Sequence, residues 1–267
     1  MRITEQPGPH RHLETKSTRE LLTIINEEDQ TVPRAVATAI PQLERLVDAT
    51  VARLRDGGRL FYIGSGTSGR LGILDASECP PTYGVPHGMV VGLIAGGDGA
   101  IRRAVEQAED SPTQAIRDLD AHGVSPTDIV VGIAASGSTP YVVQGLRACR
   151  ERDIATGCIT CNPDTPVAAA ADYPVVAVTG PEVVTGSTRM KAGTAQKLLL
   201  NMLTTTVMIR LGRVQDNRMV DMQLSNDKLV DRGTKMVMAA LKIDYDMARA
   251  LLLKHGSVRA AVDHGTR

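Results

Sequence analysis

The sequence predicts an α/β protein with a doubly wound, mainly parallel sheet of five strands. Short apolar segments that suit buried strands alternate with helical segments through the middle of the chain. Strands covered on both faces form continuous apolar runs, and intervening helices allow neighbouring strands to run parallel. A glycine-rich segment follows the first of these strands, as is typical of ligand-binding loops in such folds.

Two helices are predicted before the sheet. The first begins at Ser17, which forms a capping-box pattern with Glu20. The second covers residues 32–55, where apolar residues recur at helical spacing. Residues 1–15 are polar and are expected to form a flexible N-terminus.

Five strands and five helices then alternate. The predicted strands cover residues 60–63, 90–95, 129–134, 154–160 and 174–178. The predicted helices cover residues 68–77, 99–108, 112–122, 140–151 and 188–211. We expect residues 16–215 to form one domain with the N-terminal helices, and 216–267 to form a small C-terminal helical cap.

Composition excludes several classes of function. The chain has 30 basic and 30 acidic residues, which argues against a general nucleic-acid-binding surface. No apolar run approaches the roughly 20 residues that span a bilayer, so no membrane association is expected. The four cysteines show no disulfide-framework spacing and are predicted to be reduced thiols in a cytoplasmic protein. Cys158 and Cys161 form a CxxC pair, for which an incidental pairing is favoured over a redox role.

The loop after the first strand is a predicted anion site. Residues 64–69 read GSGTSG and lie directly before a predicted helix, whose N-terminal N–H groups and dipole attract negative charge. The spacing also matches the GxGxxG pattern of dinucleotide-binding proteins. That alternative needs an acidic residue at the end of the second strand, and the first one there is Asp98.

A second hydroxyl-rich loop follows the third strand, at residues 136–139. The carboxyl ends of parallel strands meet at one edge of a sheet, so both loops are expected to open onto one crevice. Several neutral donors suit a phosphate and sugar hydroxyls better than a dinucleotide. The two loops therefore favour a small sugar phosphate as the ligand.

Four segments of the chain resemble a known family. They are residues 64–72 (GSGTSGRLG), 75–82 (DASECPPT), 132–137 (GIAASG) and 180–194 (GPEVVTGSTRMKAGT). On these segments the chain is similar to the sugar isomerase (SIS) fold and, more narrowly, to the N-acetylmuramic acid 6-phosphate etherases. The resemblance covers most of the chain, and the family's C-terminal helical region normally runs longer, so the cap is expected to be incomplete.

The resemblance implies a carbon–oxygen lyase of cell-wall amino-sugar recycling. Such an enzyme converts N-acetylmuramic acid 6-phosphate to N-acetylglucosamine 6-phosphate and D-lactate. The open-chain aldehyde acidifies the C2 proton, a base removes it, lactate leaves from C3, and water adds. This route needs one carboxylate and one carboxylic acid, with no metal and no cofactor.

The family pattern places the two catalytic groups on Glu78 and Glu109. Glu78 is implied as the acid that protonates departing lactate, and Glu109 as the base at C2 and the activator of the incoming water; which group plays which role stays open. Pro80 and Pro81 are predicted to stop the preceding helix and leave Glu78 in a fixed turn. From the residues alone, Glu109 is a solvated helix end, and Asp110 is a rival for its role.

The remaining site residues also follow from the resemblance. The phosphate is expected to be held by Ser136, Ser138 and Thr139 with the N–H groups of the following helix. The other candidate substrate-binding residues are Ser65, Thr67, Ser68, Ser187 and Arg189. Hydroxyl loops also serve as plain turns and helix caps, so one loop alone is weak evidence. Arg70 and Lys191 are further candidate cations for the phosphate or the lactyl carboxylate.

A homodimer is expected from the resemblance. Two other functions fit similar loops: a sugar-phosphate sensor without catalysis, as in the related glucokinase regulatory protein, and an aldose–ketose isomerase. The presence of both glutamates speaks against the sensor, and release of lactate separates the etherase from the isomerase.

Overall fold

A parallel sheet of five strands, in the order β2-β1-β3-β4-β5, forms the centre of the protein. The computed structural model describes residues 1–105 and 107–266. The strands are β1 (Leu60–Gly64), β2 (Val90–Ile94), β3 (Ile129–Ile133), β4 (Ala155–Thr160) and β5 (Tyr173–Val176). The predicted parallel sheet is therefore confirmed, with each strand within two residues of its expected ends.

Helices cover both faces of the sheet and form the C-terminal region. Those up to the end of the sheet are α1 (Thr18–Asp29), α2 (Val32–Arg55), α3 (Gly66–Tyr83), α4 (Gly99–Arg102), α5 (Gln114–Ala121), α6 (Pro140–Arg150) and α7 (Pro166–Ala169). After the last strand come α8 (Lys191–Arg210), α9 (Asp227–Leu241), α10 (Tyr245–His255) and α11 (Val258–Gly265).

Successive residues of a strand pack in two separate hydrophobic cores, one on each face of the sheet. Leu60 and Tyr62 of β1 point to one face, where they join apolar residues of α2, α3 and α8. Phe61 and Ile63 point to the other face and pack with α5, α6 and α7. All four side chains are fully buried, which is why this strand reads as an unbroken apolar run.

A third, smaller core lies in the C-terminal region. Val220, Met222, Val237 and Leu252 are buried there among α9, α10 and α11. A two-stranded hairpin, β6 (Val214–Gln215) with β7 (Arg218–Met219), precedes these helices and was not predicted. The expected domain boundary at residue 215 falls inside this hairpin, and the three-part division of the chain stays a prediction.

Glycines allow α3 to lie close against the sheet. A Cβ atom on Gly92 of β2 would lie 2.6 Å from the Cα atom of Ile73, and one on Gly69 would lie 2.6 Å from Cγ1 of Ile94. Real Cβ atoms do not approach other heavy atoms this closely, so the helix and strand need glycine at these contacts. Within the GSGTSG loop, Gly69 therefore serves helix–sheet packing.

Two predicted helix boundaries are wrong. Helix α3 continues through Pro80 and Pro81 to Tyr83, where Gly84 caps it with a φ of 63°. The prolines lie in the last turn, so few backbone hydrogen bonds are lost, and Glu78 is on a helix and not in a turn. The helix predicted over 99–108 stops at Arg102, because Arg103 is extended and Gln107 has a φ of 64°.

The N-terminal segment makes specific contacts with the main domain. The backbone N–H of Thr4 donates to Oδ1 of Asn162, and Nδ2 of Asn162 donates to Thr4 and to the carbonyl of Ala135. Both Thr4 and Asn162 are buried. Within the described part of the chain, no helix is long and apolar enough to cross a membrane.

We predict that Gly92→Ala lowers the free energy of unfolding by about 1–3 kcal/mol, because the added methyl group meets the backbone of α3. Thermal and urea unfolding would measure this loss. Gly99→Ala is the matched control, since a Cβ atom there meets nothing within 4 Å. Equal stability of the two variants would contradict the close contact between α3 and β2.

Candidate functional site

The two hydroxyl-rich loops lie side by side at the carboxyl edge of the sheet. Strands β1 and β3 pair in parallel, and their last residues, Gly64 and Ile133, are register partners. Ser65 follows the first of these strands directly, and the loop with Ser136 follows the second. The predicted common crevice is thus consistent with the strand pairing.

The loop after β3 has the shape of an anion-binding turn. Gly137 adopts a φ of 72°, and a Cβ atom there would lie 2.4 Å from Thr165, so this position needs glycine. The Oγ atoms of Ser136 and Ser138 are 3.2 Å apart. Thr139 is the N-cap of α6, and its hydroxyl makes no capping hydrogen bond. The loop therefore presents three hydroxyl groups at a helix N-terminus.

Glu109 lies beside the loop after β1. The hydroxyl of Ser65 donates to Oε2 of Glu109 at 2.8 Å. Glu109 belongs to a short 3-10 turn, Ala108–Asp110, that packs against α6, the helix that begins at the Ser136 loop. An open cavity of about 210 Å³ is lined by Ser65, Arg70, Gln107 and Glu109. A carboxylate therefore stands at the carboxyl edge of the sheet, as a base for a bound sugar phosphate requires.

Thr67 and Ser68 are in the first turn of α3 and face α8. Ser68 is buried, and its hydroxyl donates to Oε1 of Gln196 at 2.9 Å. The methyl group of Thr67 lies near Gly193 at the start of α8. Of the three hydroxyls predicted to bind substrate from this loop, those of Ser65 and Ser68 thus already donate hydrogen bonds within the protein.

Ser187 and Arg189 lie on the loop that leads from β5 to α8. Ser187 is half-buried and Arg189 is exposed. The loop is attached to α8 by Glu182, which is fully buried and accepts from the N–H groups of Lys191 and Ala192 at 2.8 and 3.0 Å. Burial raises the pKa of Glu182, and the two N–H donors oppose that rise. Sequence reasoning missed this glutamate; its position inside the apolar GPEVV segment was the available signal.

Lys191 forms a buried ion pair with the first helix. Its Nζ atom lies 2.6 Å from Oε2 of Glu28, and the side chain of Lys191 is only 4% exposed. The hydrogen bond from Lys191 lowers the pKa of Glu28, which also contacts Nε2 of His10 at 3.0 Å. The charge of the ammonium group is therefore balanced by Glu28, so Lys191 is not available as a cation for a substrate.

Glu78 lies in a different cavity from Glu109. Helices α3 and α8 enclose about 340 Å³, and the polar lining includes Asp75, Glu78, Thr82, Lys197, Asn201 and Thr204. Glu78 is exposed. From Ser65, at the start of α3, the helix rises roughly 20 Å to Glu78 at 1.5 Å per residue. One chain alone thus does not bring Glu78 and Glu109 to the same two sugar carbons.

Asp75 is the other carboxyl group of this second cavity. It accepts from the hydroxyls of Tyr62 at 2.9 Å and Thr204 at 3.0 Å. Burial raises the pKa of Asp75 to about 6, although both hydrogen bonds and nearby Lys197 oppose the rise. Sequence reasoning did not single out Asp75, because its partners come from β1 and α8.

The cysteines are not arranged for redox chemistry. All four are free and buried. Burial raises the pKa of Cys158 and of Cys161 to about 12, which leaves both as unreactive thiols near neutral pH. The incidental interpretation of the CxxC pair fits these environments.

Comparison with known proteins identifies similar families and relatives. The model of the glucokinase regulatory protein N-terminal SIS domain matches residues 42–150, and that of the SIS domain matches residues 109–206. An N-acetylmuramic acid 6-phosphate etherase of Bacteroides fragilis is 58% identical over 98% of this chain and 94% of the relative. The etherase of Porphyromonas gingivalis is 59% identical over 97% and 95%, and that of Pectobacterium atrosepticum is 52% identical over 90% and 79%.

Solved structures share the fold at lower identity. A phosphoheptose isomerase from Francisella tularensis superposes with a TM-score of 0.57 at 15% identity, over 73% of this chain and 100% of that one. The Vibrio vulnificus NanR protein complexed with ManNAc-6P has a TM-score of 0.53 at 17% identity, over 73% of this chain and 66% of that one. These similarities establish the SIS fold.

We predict that Asp75→Asn changes how stability depends on pH. The folded protein binds the Asp75 proton more tightly than the unfolded chain does. The stabilisation that this proton provides is therefore present below pH ~4 and is lost as pH rises towards 6. Across that window the free energy of unfolding of the wild type should fall by up to about 3 kcal/mol relative to that of Asp75→Asn. Urea unfolding at a series of pH values measures the difference. Glu78→Gln, an exposed change in the same cavity, is the control; parallel curves for wild type and Asp75→Asn would contradict the prediction.

Proposed function

Because the chain belongs to the N-acetylmuramic acid 6-phosphate etherase family, it is a carbon–oxygen lyase that cleaves the D-lactyl ether of that sugar phosphate, and we propose that it does so by elimination and water addition. The relatives in this family match nearly the whole chain. The observation that supports the mechanism is the Ser65–Glu109 pair beside the Ser136 loop.

Glu109 is the base of the proposed reaction. Opening of the sugar ring exposes an aldehyde at C1, which makes the C2 proton acidic. The Glu109 carboxylate takes that proton, the C3–O bond breaks, and the lactyl oxygen leaves with the electron pair and takes a proton from the acid, Glu78. The proton on Glu109 then passes through solvent to Glu78. The Glu109 carboxylate takes a proton from the incoming water, whose oxygen adds to C3, and gives that proton to C2, so both glutamates return to their starting states. Ser65 orients the carboxylate for this step.

The phosphate belongs at the start of α6. Ser136, Ser138 and Thr139 supply hydroxyl donors, and the helix N-terminus supplies N–H groups and positive potential. Ser65 and Thr67 flank the sugar from the neighbouring loop. Ser187 and Arg189 approach from the loop before α8, and Ser68 supports the site through Gln196.

Glu78 is the proposed acid, and it reaches the substrate from a second copy of the chain. Roughly 20 Å of helix separates it from Ser65 in one chain, whereas C2 and C3 of one sugar are bonded neighbours. Leu74, one turn before Glu78, is 51% exposed beside the same cavity, as an apolar contact of a homodimer would be. Such a dimer would hold two active sites, each with glutamates from both copies.

The site and the buried thiols suit a cytoplasmic enzyme that uses no cofactor. This mechanism requires two carboxyl groups, which we assign to Glu78 and Glu109. It also requires neutral or cationic donors, which the hydroxyl groups of the Ser136 loop and Arg189 provide.

We predict that the protein releases D-lactate from N-acetylmuramic acid 6-phosphate, and that Glu109→Gln lowers kcat by roughly 100- to 10,000-fold through loss of the base. A coupled D-lactate assay measures both. Asp110→Asn, a change at the neighbouring carboxylate, is the matched control and should remain active. Binding of the sugar phosphate without lactate release would favour the regulatory alternative, and a dead Asp110→Asn with an active Glu109→Gln would reverse the assignment.

We also predict complementation between two inactive variants. Each heterodimer of Glu78→Gln with Glu109→Gln contains one intact site, so the isolated heterodimer should have roughly half of wild-type activity, and a random mixture, about half of which is heterodimer, roughly a quarter. Coexpression with two affinity tags isolates the heterodimers for the lactate assay. If the isolated heterodimers are no more active than the separate variants, Glu78 does not act on the substrate from the second copy, and the proposed shared site is wrong.

A further inference from the structure

We propose that Arg70 is a positioning residue that holds the segment carrying Glu109 in place. This inference rests on the proposed role of Glu109 as the base. It assigns to Arg70 a task other than the anion binding that its charge suggests, because its guanidinium group is occupied by backbone carbonyls.

The guanidinium group of Arg70 joins α3 to α4. Its Nε atom donates to the carbonyl of Ile101 at 2.8 Å, and its Nη2 atom donates to the carbonyl of Ala100 at 2.7 Å. These carbonyls lie at the C-terminal end of α4, which ends at Arg102. The last carbonyls of a helix lack partners within the helix and carry partial negative charge, so a cationic fork is a well-matched partner.

The chain segment between α4 and Glu109 has, in its described residues, few packing contacts of its own to hold it in place. Arg103 is extended, and Gln107 adopts a φ of 64°, which few residues other than glycine adopt. Val105 packs against Gly96, where a Cβ atom would lie 2.8 Å from that of Val105, yet Val105 is 47% exposed. The described residues of this segment thus lie on the surface with little apolar burial of their own.

Arg70 of α3 and Ser65, the N-cap of the same helix, anchor the two ends of this segment. Arg70 holds its beginning at Ala100 and Ile101, and Ser65 holds its end at Glu109. Helix α3 itself is fixed on the sheet by the close contacts of Gly69 with Ile94 and of Gly92 with Ile73. Helix α3 therefore fixes the position of the Glu109 carboxylate relative to the sheet.

Measured with the lactate assay, Arg70→Met should lower kcat by roughly 10- to 100-fold, because displacement of a catalytic group by about 1 Å has effects of this size. The KM for N-acetylmuramic acid 6-phosphate should stay within about threefold if Arg70 does not touch the substrate. Arg70→Lys keeps the charge and has a single nitrogen in place of the two-pronged fork, so its kcat should be intermediate. Arg102→Met, a change at an exposed arginine on the same helix end, is the control and should keep wild-type kcat.

The decisive test places Arg70→Met in a Glu109→Gln background. If Arg70 acts through Glu109, the second change should lower the residual kcat less than about twofold. A full additional loss, a loss confined to KM, or wild-type kcat in Arg70→Met would overturn the inference. Thermal unfolding identifies a variant that fails to fold, in which case Arg70→Lys carries the test. Fully active Glu109→Gln, by contrast, would overturn the proposed role of Glu109 as the base, on which this inference rests.

Discussion

The parallel, in-register pairing of β1 with β3 is the constraint on which the rest of the structure depends. It ends both strands at the same level, so the Ser65 and Ser136 loops come out beside each other. Helices α3 and α6 then begin at one edge, and both N-terminal dipoles point to the same space. A small anionic ligand at that edge meets donors from two loops that are far apart in sequence.

Much of this arrangement could be predicted from the sequence, because burial on both faces produces unbroken apolar strands and glycine marks the tight loops. The course of the chain after these strands could not. Pro80 and Pro81 ordinarily stop a helix, yet α3 continues through both, since they occupy its last turn. The sequence after Gly99 has helical composition, yet α4 ends at Arg102, where Arg70 binds the carbonyls of Ala100 and Ile101 and Arg103 is extended.

The candidate site shows the same division between local and distant causes. The hydroxyl loops were recognisable from local sequence, whereas Glu109 required the family resemblance to separate it from Asp110. The sequence analysis missed Asp75 and Glu182 because the partners that bind them lie at least nine residues away and on other elements. The separation of Glu78 from Ser65, the partner of Glu109, likewise follows from the run of α3 between them, whereas the sequence predicted that Glu78 lies in a turn after the helix.

The buried pair of Lys191 and Glu28 has a consequence for how this protein can vary during evolution. Loss of Glu28 alone leaves the buried Lys191 ammonium group without this partner, at a cost of several kcal/mol, and loss of Lys191 alone leaves Glu28 with His10. Loss of both together removes the two charges at once and is far less harmful. Positions 28 and 191 should therefore change in concert between lineages, which makes the contact between α1 and the start of α8 visible as paired substitution in related sequences.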